Sequence, residues 1–168
     1  DLYRAQSDLP RALASYERAL ALEPTRFGLA WRVAQHELAA GRIAAAERRL
    51  RAVIAGSQDD ELVMRALRSA LQLRLSEPRL FELERELVSL ALASPPRPVY
   101  RRALLELYAV LVPALSEHAR GQLPEANSAR SELAAIGRRA AKPLLEALAD
   151  RDLSQARQSI ALLAEVGN

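Results

Sequence analysis

Residues 7–20 recur 34 positions later, and this constrains the fold more than any other feature of the chain. Ser7 aligns with Gly41, Leu9 with Ile43 and Ala12 with Ala46. Tyr16 aligns with Leu50, Ala19 with Val53 and Leu20 with Ile54. Small side chains fall on small and large on large. A repeat of this length cannot bury its apolar face alone, so like units must stack. Within the first copy the spacing is helical. Leu9, Ala12, Leu13, Tyr16, Ala19 and Leu20 fall at i, i+3, i+4, i+7, i+10 and i+11, one face of a 3.6-residue period.

The same rules place helices along the rest of the chain. Asp8 can cap the first helix and Pro10 suits its first turn, while Glu23-Pro24 stops it. A second helix is expected over 26–40, ending at Gly41, and a third over 43–55, ending at Gly56. Asp59 and Asp60 open a fourth, to about 75, and Ser76-Glu77-Pro78 opens a fifth, through Leu92. Ser94-Pro95-Pro96 is a break, because proline removes a donor and bars the helical conformation before it. The sixth helix, over 98–120, carries two adjacent apolar stripes, with Pro113 inside to kink it. After a break at 121–124, three shorter helices are expected over 124–135, 138–149 and 153–166. No segment alternates with period 2 for long enough to suggest a strand.

These residues carry a resemblance to tetratricopeptide repeats, whose helix–turn–helix period is 34. Ser7-Asp8-Leu9, Ala12, Tyr16 and the run Ala19 to Pro24 look like the second helix of one repeat. Val33-Ala34 followed by Gly41-Arg42 looks like the first helix and turn of the next. The resemblance is good over 1–58. Over 59–96 it fades, and Leu80, Leu83, Leu87, Leu90 and Pro95 echo it only after a change of register.

A second self-similarity, with an offset of 30, pairs Leu123 with Leu153, Ala126 with Ala156, Leu133 with Leu163 and Ile136-Gly137 with Val166-Gly167. Residues 133–167 resemble short HEAT repeats of the bacterial, phycobilisome-lyase-like kind. Ile136-Gly137, Ala140, Leu144-Leu145, Asp150-Arg151-Asp152 and Arg157 carry the likeness, and Asn127 replaces the arginine one repeat earlier. By this resemblance Asp152 and Arg157 belong to a polar ladder tying repeats together. It also puts Leu145 and Leu163 face to face across the last helix pair. The chain starts inside a repeat and stops at Gly167-Asn168 without a polar cap, as expected of a segment of a longer protein.

Composition narrows the function classes. Half the residues are apolar, mostly Leu and Ala, with only 7 aromatics and 6 Gly. The glycines are too few for a turn-rich β-sandwich or a glycine-loop nucleotide fold. With no Cys there are no disulfides, thiolate nucleophiles or zinc fingers, and compartment is left open between cytoplasm and periplasm. The net charge is 24 − 21 = +3, carried by Arg except for Lys142. That balance gives nucleic acid little to bind, and no apolar run approaches a membrane span. An Ala-, Leu- and Arg-rich chain with one Lys fits a GC-rich genome.

Candidate chemistry is sparse. His36-Glu37 begins a His-Glu-x-x-His pattern, but Ala40 stands where the second ligand is required. His118 suits a helix C-terminus. There is no Gly-x-Ser-x-Gly elbow. Asp59-Asp60 reads as a helix cap, and Glu82, Glu84 and Glu86 read as solvated. Arg48, Arg49 and Arg51, and likewise Arg101-Arg102 and Arg138-Arg139, read as solvated helix faces paired with nearby carboxylates. No cofactor or metal is called for.

Trp31 is the residue of most interest. In the tetratricopeptide register Val33 and Ala34 are core positions, so Trp31 and Gln35 face the concave groove; one position of slip would instead pack Trp31 between helices. Adding the period gives Arg65 and Ser69, and Arg65 shares a face with Arg68 and Gln72. Trp31, Gln35, Arg65, Ser69 and Gln72 then form a strip for a partner peptide with an apolar anchor beside an acidic residue. The subset of the family that clamps chaperone tails uses Lys and Asn where this chain has Trp31 and Gln35, so the resemblance does not imply that function. The expected architecture is an all-α, right-handed superhelix of antiparallel helix pairs. Residues 1–96 would be tetratricopeptide-like, 97–121 a connecting helix and 122–168 HEAT-like. The expected role is a protein–protein interaction scaffold and not an enzyme. A regulatory module of a larger enzyme, or a HEAT-like binder of nucleic acid or tetrapyrrole, is the alternative.

Overall fold

A computed structural model describes residues 9–73, 75–120 and 125–149, together with Arg157, Ile160, Ala161 and Ala164. The described residues are all-α, with no strand among them. The helices are α1 (Leu9–Leu22), α2 (Phe27–Ala39), α3 (Ile43–Gly56), α4 (Asp60–Leu71), α5 (Glu77–Ala91), α6 (Pro98–Ala119) and α7 (Glu125–Ala149). Tertiary contacts divide the chain into two compact units, Asp1–Leu75 and Ser76–Asn168.

In the first unit each helix packs on the next, and α2 also touches α4. Gly41 ends α2 with φ of 72°, a left-handed conformation that costs glycine nothing. The Arg42 N–H then donates to the Glu37 carbonyl at 2.8 Å, closing the helix end. Asp59 caps α4, accepting from the Leu62 N–H at 3.1 Å. Val33 and Ala34 on α2 are fully buried, as are Ala46, Leu50 and Val53 on α3. The tetratricopeptide register assigns Val33 and Ala34 to the core, and the 34-residue alignment puts Ala46, Leu50 and Val53 on the apolar face. Each large one contributes about 1.5–3 kcal/mol by leaving water.

In the second unit α6 packs on α5 and α7, and α5 also meets α7. Its two stripes are buried, from Val99 and Tyr100 to Leu111, Val112 and Leu115. Val110 and Pro113 lie on the exposed side, so α6 is enclosed on one side only.

Three expectations fail here. The helices expected over 124–135 and 138–149 are one continuous helix, α7, which runs through Gly137. A mid-helix glycine costs only about 0.5–1 kcal/mol. Ile136 and Ala140 are buried on either side of it, and that packing outweighs the cost. Leu145 is 57% exposed and so is not the buried core residue the repeat alignment required. Its expected partner Leu163, with Asp150, Arg151 and Asp152, lies outside the described residues, whereas Arg157 is helical and exposed. Glu84, read as solvated, is fully buried.

Candidate functional site

The proposed strip lies where α2 and α4 run side by side in the first unit. Trp31 and Gln35 are one turn apart on α2, and Arg65 and Ser69 one turn apart on α4. The Arg65 guanidinium lies over the Trp31 ring, 5.4 Å from its centroid, a cation–π contact. The Gln35 amide donates to Ser69 Oγ at 3.0 Å. Residues 34 positions apart are therefore direct neighbours twice over. Gln72, at the C-terminal cap of α4, is exposed.

The strip is less open than five independent side chains would be. Gln35 and Ser69 already satisfy one another, and both are half-buried. Trp31 is half-buried too, and its indole N–H is enclosed without a hydrogen-bond partner. A tryptophan held only for packing ordinarily pairs that N–H. The ring borders a cavity of about 360 Å³ shared with Leu29, Arg32, Asp59, Leu62 and Arg65. Asp59 is placed there by Ser57, whose hydroxyl oxygen accepts from the Asp59 N–H at 3.1 Å. The cavity thus offers an aromatic face, two guanidinium groups and one carboxylate.

Two buried ion pairs that join different helices escaped the sequence reading. Glu37, only 2% exposed, takes both its oxygens to Arg49 Nε at 3.0 Å, and Glu17 approaches the same arginine at 3.7 Å. His36-Glu37 is thereby part of a framework joining α1, α2 and α3. In the second unit Glu84 accepts from the Tyr108 hydroxyl at 2.9 Å and from Arg139 Nε at 3.0 and 3.1 Å. Burial first, then the charge and hydrogen bond of Glu84, push the Tyr108 phenol far above its ordinary value. The signal was present in the sequence. Leu80, Leu83, Glu84 and Leu87 fall at i, i+3, i+4 and i+7, as do Ala30, Val33, Ala34 and Glu37. A carboxylate at an apolar position of a helical period needs a buried partner. The carboxylates are engaged by side chains of neighbouring helices, so these groups hold helices together, although Arg139 Nη2 is buried without a hydrogen-bond partner.

His118, in the last turn of α6, meets Glu77 with Nδ1 2.7 Å from Oε1. Among the described residues no three His, Asp or Glu side chains stand together as a metal site. No helix among them is long and apolar enough to cross a membrane.

Compared with known families, residues 3–71 match the tetratricopeptide repeat. The N-terminal side of the chain therefore carries tetratricopeptide-like repeats, and the match ends within the first unit. No curated protein and no solved structure matches the chain.

Proposed function

We propose that the first unit is a protein-interaction module whose ligand is a peptide laid along Trp31, Gln35, Arg65, Ser69 and Gln72, on the concave face of a right-handed repeat stack. The pairing of Trp31 with Arg65 and of Gln35 with Ser69 carries the reading, because it makes one strip of two successive first helices. The family supports it: tetratricopeptide repeats are typically interaction scaffolds without catalytic groups. The strip suits a segment with an apolar anchor for the Trp31 ring and an acidic residue for Arg65 and Arg32. The HEAT-like reading of residues 133–167 rests on the 30-residue sequence offset alone, since α7 runs through Gly137 and leaves Leu145 exposed.

Panning a random peptide library against the protein tests this. The enriched peptides are expected to pair an apolar residue with Asp or Glu. Trp31→Ala should weaken them by at least about 2 kcal/mol, the threshold of a binding hot spot. Its melting temperature should stay near wild type, since Trp31 lies outside the buried core and borders the cavity. A variant that melts early yet binds equally well would make Trp31 a packing residue and sink the proposal.

A further inference from the structure

The second unit holds a cavity of about 760 Å³ walled by α5, α6 and α7. This is within the range of about 300–1,000 Å³ usual for ligand sites. Phe81, Leu115 and Ala129 give it an apolar lining. Around them stand four carboxylates, Glu77, Glu82, Glu117 and Glu132, with Arg85 and His118 as the basic side chains. Glu77 is engaged by His118, with Nδ1 2.7 Å from Oε1, and Glu82, Glu117 and Glu132 still outnumber Arg85 in the lining, on a chain whose net charge is +3. Glu117 is in the last turn of α6, where a negative charge opposes the helix dipole, so the helix does not benefit from it.

We infer that this cavity docks a basic amphipathic peptide segment of a partner protein. An apolar side chain of the segment lies over Phe81 and Leu115. Lys or Arg side chains one turn to either side reach Glu117 and Glu132. The charge contrast selects this occupant: an acidic segment would be repelled, and a wholly apolar one would leave the rim carboxylates facing low-dielectric surface. The site differs in place and in sign from the α2–α4 strip and does not rest on that reading.

Fluorescence polarisation with a labelled peptide tests it, using Leu at i, i+3 and i+7 with Arg between, and a control with Glu for every Arg. The basic peptide is expected to bind at least tenfold more tightly than the acidic one, and less tightly as salt rises. The double variant Glu117→Lys with Glu132→Lys should lose at least tenfold. Glu117→Gln with Glu132→Gln, the gentler pair, should lose at least threefold if the lysine variant does not fold. Trp31→Ala should bind the basic peptide as wild type does. Equal affinity for the two peptides, full binding by the variants, or loss in Trp31→Ala would each overturn the assignment.

Discussion

Gly56 and Gly28 are both helical, yet a methyl group would meet different surroundings at each. At Gly56 the new carbon would overlap the Phe27 ring, which crosses the end of α3. At Gly28 nothing lies within 4 Å. Gly56→Ala should therefore destabilise by about 1–3 kcal/mol through overpacking. Gly28→Ala should stabilise by about 0.4–1 kcal/mol by restricting the unfolded chain. Urea denaturation of the two variants checks both signs. Identical midpoints would mean that the Phe27 ring moves aside freely.

Helix ends and helix contacts follow different rules. Proline, glycine and the Asp59 cap end or begin α2, α4 and α6 close to where local rules put them. The contacts depend on side chains far apart in the chain, as where Arg139 on α7 joins Glu84 on α5 and Tyr108 on α6. Removing the arginine strands a buried carboxylate. Arg139→Ala should cost about 3 kcal/mol, the lower end for a broken buried pair, because its side chain is 29% exposed. A loss below 1 kcal/mol, by the same denaturation, would mean that Tyr108 alone satisfies Glu84. At the end of α6, Glu117→Lys should add about 0.3–1 kcal/mol by reversing an unfavourable charge–dipole contact. A lower melting temperature for that variant would show that Glu117 is held by an interaction the fold requires.

The stability of the whole chain should fall in alkali, and Tyr108 sets part of the slope. Its phenol is raised above the ordinary tyrosine value of about 10, so the folded chain keeps a proton that the unfolded chain gives up. More protons on the folded state mean stability declines as pH rises. The Tyr108 contribution is whole below about pH 10 and is lost progressively above it. Tyr108→Phe should start less stable, by about 1–3 kcal/mol for the donor Glu84 loses. Its melting temperature should then fall less steeply than wild type above about pH 10. Parallel curves would show that Tyr108 ionises without hindrance.

Much of this protein is local and so was legible from the residues alone. Helical periodicity acts within a few turns, and caps and breakers act within one, which is why the helices through Ala119 and the buried Val33, Ala34 and Ala46 follow from the sequence. The 34-residue offset went further and put Trp31 with Arg65 and Gln35 with Ser69, because repeated units repeat their contacts. Where the repeat weakened, the reading failed: Gly137 passes as a helix end by its type, and only packing against Ile136 and Ala140 carries α7 through it. The fates of Glu37 and Glu84 were likewise decided in three dimensions. A helical period shows that a carboxylate lies on the buried face, but Arg49, Tyr108 and Arg139 come to it from other helices. The acidic cavity belongs to the same class, since the carboxylates of three helices share one space only once α5, α6 and α7 have packed.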